Sequence, residues 1–355
     1  MNKKIVYPVT IDKLDKIDND ADIIILQGGR ATGKSYTVKY KLLREAFKSI
    51  ESDGLCHERF FYLRRYHDDT KDVYSQTYFE DIDIYTLTNG KYNAVVVYRH
   101  EIYYGNIEEN GNITKEVLIG RVLSITKYVQ YKSQVFKYFK RGVFEEFISD
   151  TYQSEEPTKI FNLLSTIFRN EKGVLYMVGN NISRFNPYYR EWALTNATAQ
   201  KINTIDKYEI DDMIIKCWKC PSGEGLNKMV FGHAKQAVDG VTYETKQFPH
   251  LQHEVEDYDI IYSCVLKHEN FMYLMQLLRY NLSYTWYIQP KTTPVQEGTR
   301  VISKEYNLNV YYTNKFSPLS KDEAVIFDML KCNNKIAFSD NLTGTEFSQI
   351  INEYI

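Results

Sequence analysis

The sequence predicts an α/β protein of two domains, and three observations predict it. In "IIILQGGRATGKSYTVKY" (23–40) an apolar run enters a glycine turn and leaves it in a helical pattern. Strand-like and helix-like segments then alternate to about residue 181, the pattern of a three-layer domain around a mainly parallel sheet. Strands resume near residue 255, and two helical segments close the chain. With 355 residues, 43% of them hydrophobic, the chain has enough length and apolar content for two cores.

Residues 22–27 read as a buried strand. After the loop, Val38, Leu42, Leu43, Ala46, Phe47 and Ile50 recur at helical spacing. "ESDGLCHE" is a break and "RFFYLRRY" (59–66) a second strand with a basic end. The β-rich runs of 93–124 predict a meander or hairpin. "RGVFEEFIS" (141–149) is a short strand ending in acids, 157–170 a helix opened by Pro157, and "GVLYMVGNN" (173–181) a buried strand ending in amides. Residues 190–250 are polar and weakly patterned, so the expected organisation is a first domain over 1–200, a linker or lid over 201–250, and a second domain over 251–355. In the last, helices are expected near 321–331 and 345–355, the second opened by a capping box of Thr343 and Glu346.

The spacing from Gly28 to Ser35 is G-x-x-x-x-G-K-S, a phosphate-binding loop. Glycines let backbone N–H groups wrap phosphates, and the helix N-terminus adds partial positive charge. Lys34 is expected on the β- and γ-phosphates, and the Ser35 hydroxyl on Mg²⁺. A triphosphatase also needs acids at the end of a neighbouring strand, one for the metal and one for the attacking water. Glu145 and Glu146 are the candidates, although Asp is the usual first acid and an acid pair is often only a solvated surface.

The net charge of −2 excludes a globally basic nucleic-acid binder, so any such partner must meet local basic patches. Five cysteines, at 56, 217, 220, 264 and 332, do not suggest a disulfide framework, and Cys217-x-x-Cys220 lacks the second pair a zinc site wants. "MNKKIVYPVTIDKLDK" has no apolar signal core and no apolar run approaches a membrane span, so a cytoplasmic protein is expected.

The ordered pieces "GGRATGKSY" (28–36), "FFYLRRY" (60–66), "VFEEFI" (143–148), "LLSTIFRN" (163–170) and "VGNNISRFNPYY" (178–189) resemble the DNA-packaging ATPases of phi-29-like small tailed phages. The resemblance covers about the first 190 residues, and the rest is similar only loosely. It implies an additional-strand, RecA-like ATPase that works as a homomeric ring, a pentamer by family expectation. Such a ring pumps double-stranded DNA through the portal into a preformed capsid in an infected bacterium, in some cases with a packaging RNA. It implies ATP and Mg²⁺ as cofactors, with Gly28, Gly29, Arg30, Ala31, Thr32, Gly33, Lys34, Ser35, Tyr36 and Asn180 around the nucleotide. Glu145 takes the Mg²⁺ position, Glu146 activates water, Arg169 is an arginine finger for the neighbouring subunit, and Asn180 senses the γ-phosphate. Where the family has a further basic residue after Arg-Arg-Tyr this chain has His67, which leaves Arg64 or Arg65 as the candidate second trans-acting cation.

Lys132 and Lys137, in "YVQYKSQVFKYFKRG" (128–142), lie where the family has its channel-facing loop and are the expected DNA contacts. An ordinary lysine-bearing β-edge is the alternative. The related large terminases carry an RNase H-like nuclease at this end of the chain, and the resemblance implies such a domain here, docking on the portal or an RNA; "DIIYSCVL" carries Ser263 and Cys264 and no central carboxylate, so it reads as vestigial. A terminase with a live nuclease, a P-loop small-molecule kinase and a non-enzymatic nucleotide-binding scaffold remain as alternatives.

Overall fold

The computed structural model describes residues 8–29, 32–70, 77–149, 152–169, 171–180, 186–194, 197, 200–221, 248–269, 271–305, 307, 309, 311–332 and 335–355. The chain divides into two compact units, Met1–Gly240 and Val241–Ile355.

The first unit is built on a nine-stranded sheet. Its strands are β1 (Ile23–Gln27), β2 (Arg59–Arg64), β3 (Ala94–Tyr98), β4 (Glu101–Gly105), β5 (Val117–Ser124), β6 (Phe139–Glu145), β7 (Val174–Gly179), β8 (Ile205–Ile210) and β9 (Met213–Lys219). Their order is β3-β4-β5-β2-β6-β7-β1-β9-β8. The six strands from β5 to β9 run parallel; β3, β4 and β8 are antiparallel additions at the two edges. Every residue of β1 is buried, as a central parallel strand requires.

Helices α1 (Ile11–Asp18) and α2 (Lys34–Lys48) cover one face. Their Leu14, Ile17, Val38, Leu42 and Leu43 share a core with Ile24 and Leu26 of β1, Tyr62 of β2 and Val143 of β6. Two short helices, α3 (Ile84–Leu87) and α4 (Tyr128–Tyr131), punctuate the chain before α5 (Glu156–Phe168). The buried side of α5 meets the opposite face, where Phe168 packs on Phe61 with ring centroids 5.9 Å apart. A one-turn helix, α6 (Pro187–Glu191), is opened by Asn186, whose side chain accepts from the Tyr188 N–H.

The sheet corrects the expected linker: residues 205–219 form a hairpin that completes it. β9 pairs in parallel with β1, Gln27 opposite Lys219, and the Cys220 N–H bonds the Gln27 carbonyl at 2.7 Å. The remainder of the expected lid, 222–247, lies outside the described residues. Cys217 and Cys220 are both buried and free, and the described residues hold no group of three or more His, Cys, Asp or Glu able to bind a metal. No described helix is long and apolar enough to cross a membrane.

The second unit carries a six-stranded sheet. β10 (Asp259–His268), β11 (Phe271–Tyr280) and β12 (Ser283–Pro290) form an antiparallel meander. β13 (Arg300–Ser303) runs parallel to β10, β14 (Tyr312–Thr313) to β13, and β15 (Ile336–Phe338) to β12. Two helices follow the order the sequence predicts, α7 (Lys321–Cys332) and α8 (Asn341–Ile350). The expected capping box is corrected. Asp340 is the N-cap, accepting from the Thr343 N–H at 2.8 Å, while Glu346 is buried and accepts from the Tyr273 hydroxyl at 2.8 Å. The helix starts four residues earlier than expected because Asp340 is a better capping acceptor than Thr343.

Candidate nucleotide site

The glycine loop joins the C-terminal end of β1 to the N-terminus of α2, so the first-turn N–H groups of α2 face the space above the sheet. Gly33 takes φ +87° as the residue preceding the helix, a left-handed conformation that glycine reaches without a Cβ clash. Gly28 is required for another reason: a Cβ there would stand 3.1 Å from Cys220 Cβ and 3.2 Å from its carbonyl oxygen. The Lys34 ammonium lies back along the loop, donating to the Gly28 carbonyl (3.0 Å), the Gly29 carbonyl (2.5 Å) and the Thr32 hydroxyl (3.1 Å). Ser35 is exposed on the first turn of α2. Arg30 and Ala31, expected at the phosphates, lie outside the described residues.

A cleft of about 580 Å³ opens over this loop. Thr32, Gly33, Lys34, Ser35 and Tyr36 line one side, and Glu145, Glu146, Ile148, Val178, Gly179 and Asn180 line another; Asp81 completes the lining. The parallel pairing of β6 and β7 sets Glu145 opposite Val178, which brings the acids and the amide to one edge of the sheet. One Glu145 oxygen accepts from the Tyr62 hydroxyl at 3.3 Å, whereas its Oε1 is buried with no hydrogen-bond partner among the described residues. Burial, and then the Glu145 charge, push the Tyr62 phenol up, and they act the same way on Tyr78. Glu146 takes φ +53°, which turns the chain out of β6, and it pairs with Arg64 at 2.9 Å.

The remaining expected residues sit elsewhere. Arg169 is exposed at the end of α5 with φ +50° and does not line the cleft. Its guanidinium donates to the Gln134 carbonyl at 3.1 Å. Lys132 and Lys137 are exposed on the turn between α4 and β6, with their ammonium groups 5.4 Å and 4.5 Å over the rings of Tyr128 and Tyr138. This corrects the β-edge alternative, because the strand that follows them, β6, is central in the sheet. Arg65 is also corrected as a substitute cation. It is buried against the fully buried Glu156 at 2.8 Å and donates to the carbonyls of Glu146 and Phe147, so it fixes the end of β6.

Asp81 and Gly179 are cleft residues that the sequence did not single out. Asp81 stands among other acids in "FEDID", with nothing to distinguish it. Gly179 was visible as a strand-ending glycine: a Cβ there would lie 2.2 Å from Ile148 Cδ1.

The large, mainly parallel sheet with helices packed on it defines a mixed α/β protein, with G-x-x-x-x-G-K-S following β1 and Glu145 ending β6. The chain belongs to the Podovirus DNA encapsidation protein (Gp16) family, whose model matches residues 1–248. No curated protein matches it. Among solved structures it is similar to the bacteriophage Phi-29 viral genome packaging motor assembly, at 18% identity and a TM-score of 0.55, covering 97% of this chain and 98% of that one. It is also similar to the N-terminal domain of the DNA packaging ATPase from bacteriophage phi29, at 24% identity and a TM-score of 0.46, covering 61% of this chain and 98% of that one. A third likeness, to the Phi-28 gp11 DNA packaging motor, has 16% identity and a TM-score of 0.47 over 97% of both chains.

Proposed function

We propose that this chain is the ATP-hydrolysing subunit of a phage DNA-packaging motor. Subunits assemble as a homomeric ring, a pentamer in this reading, that drives double-stranded DNA through the portal into a preformed capsid. The observation that carries the proposal is the single cleft in which Lys34 and Ser35 face Glu145, Glu146 and Asn180 in a member of the Gp16 family. β7 stands between β1 and β6, which supports the additional-strand, RecA-like reading of the first unit.

The residues fit a magnesium nucleotide. Ser35 presents its hydroxyl at the helix N-terminus, and the buried, unpartnered Glu145 Oε1 is the kind of oxygen a cation completes. When bound, Mg²⁺ would neutralise charge on the β- and γ-phosphates. Lys34 and the loop N–H groups hold the phosphates, Glu146 orients and deprotonates the attacking water, and Asn180 contacts the γ-phosphate end. Glu146 must first leave Arg64; the glutamate side of this pair is exposed and the guanidinium side largely buried. Arg169 serves the cleft of a neighbouring subunit, and Lys132 and Lys137 grip DNA phosphates without reading sequence.

The second unit we read as RNase H-like, supported by its antiparallel meander with β13 and β14 added in parallel beside β10. Its role here is docking, on the portal or a packaging RNA, at the portal vertex in the infected cell. Among the described residues Glu256, Asp257 and Asp259 at the start of β10 form no metal-binding group, and Asp259 pairs with Arg279 at 2.8 Å. DNA-stimulated ATP hydrolysis by the full-length chain tests the proposal: stimulation that disappears in Lys34→Ala supports it, and a chain that hydrolyses no ATP with DNA present contradicts it.

A further inference from the structure

We infer that Asp81 is a positioning residue of the nucleotide cleft, a carboxylate that orders the water shell of the divalent cation bound with the nucleotide. The inference rests on the nucleotide reading of the cleft.

Asp81 lines the same cleft as Ser35, Glu145 and Glu146, although it is 64 residues from Glu145 in sequence. It is held there by Lys39, one and a half turns beyond Lys34 on α2. The Lys39 ammonium lies 2.6 and 2.7 Å from the two Asp81 oxygens and 2.9 Å from the Tyr78 carbonyl, and sits 4.7 Å over the Tyr78 ring. Tyr78 in turn packs edge-on against Tyr62 at 4.6 Å, and Tyr62 donates to Glu145. One packed assembly therefore sets both the helix that carries Ser35 and the two carboxylates Asp81 and Glu145.

The charge arrangement says what such a group is for. Lys39 and Arg64 pair with Asp81 and Glu146, so the acids of the cleft are partly compensated, and a divalent cation bound with the triphosphate would add the remaining positive charge. Among the described residues no three or more His, Cys, Asp or Glu side chains form a metal-binding group, these carboxylates included. That assigns Asp81 to the outer shell, where a small cation that keeps several of its waters needs acceptors. Lys39 occupies one direction at each Asp81 oxygen, and the half-exposed side chain keeps acceptor capacity toward the cleft.

The competing explanation is a latch: Lys39 and Asp81 only fasten the 77–83 turn to α2. The two roles separate when binding of a fluorescent ATP analogue to the full-length chain is titrated with Mg²⁺. Asp81→Asn keeps the shape and a hydrogen bond to Lys39, and should raise the Mg²⁺ midpoint about tenfold without weakening binding in EDTA. Lys39→Met leaves the carboxylate uncompensated and should lower the midpoint. Equal upward shifts in both variants, or an Asp81→Asn midpoint within about twofold of wild type while Ser35→Ala moves it, would overturn the inference and leave the cleft reading standing. Wild-type binding that needs neither Mg²⁺ nor Lys34 would overturn the cleft reading and the inference with it.

Discussion

The Arg169 guanidinium is hydrogen-bonded to the Gln134 carbonyl, 3.1 Å away, and does not line the cleft that holds Glu145 and Glu146. Gln134 belongs to the turn that carries Lys132 and Lys137, so one hydrogen bond joins the proposed finger to the turn of the proposed DNA contacts.

The turn gives the first prediction. Replacing both Lys132 and Lys137 by alanine should weaken DNA binding and flatten its dependence on log salt by about 0.9 per lost phosphate contact. Binding isotherms at several salt concentrations check this, and an unchanged slope would move the DNA contact elsewhere.

Lys34→Ala should reduce ATP hydrolysis to background. The residue gives up three hydrogen bonds that organise the loop as well as its phosphate contact. Steady-state turnover near the wild-type value in this variant would remove the nucleotide assignment.

Gly179 supports the cleft from below. In Gly179→Ala the new methyl would meet Ile148 Cδ1 at 2.2 Å and Phe147 Cε1 at 2.9 Å. Overpacking of this kind costs about 1–3 kcal/mol. Denaturant melts should show that loss, and Ile148→Ala in the same chain should restore part of it.

The second unit yields a pH-dependent prediction. Burial raises the Asp340 carboxyl, but the Thr343 N–H and hydroxyl and Ser339 outweigh it, so its pKa lies below the ordinary value. A depressed folded-state pKa contributes stability above the unfolded value, and that contribution is lost as pH falls through the folded one. Asp340→Ala should therefore cost about 1 kcal/mol at neutral pH, and its gap from wild type should close between about pH 5 and pH 2. Thermal melts across that range read the effect directly.

Much of the first unit is legible in the chain because its signals are local. β1 is an unbroken apolar run, the glycine spacing ends it, and Val38, Leu42 and Leu43 restart the pattern at helical period. What escapes is set by pairing at a distance. β8 alternates exposed and half-buried residues with no apolar face, so "IDKYEI" resembles a linker until β9 is seen beside β1. β13 and β15, four and three residues long, are too short for a period to show. At the site, Lys34, Ser35, Glu145 and Glu146 follow from chemistry at strand ends. Asp81 does not, because its role depends on an ion pair with Lys39, 42 residues away in sequence, on a helix whose lysines would otherwise be taken as solvated.

The central claim is that each working site takes Glu146 from one subunit and Arg169 from the next. The most direct test is complementation: prepare Glu146→Ala and Arg169→Ala separately, confirm that each assembles, binds ATP and lacks DNA-stimulated ATPase activity, then mix them. The account predicts recovered activity, because mixed rings contain interfaces with an intact Glu146 facing an intact Arg169. Mixed rings that form and stay silent at every ratio would contradict a site divided between subunits.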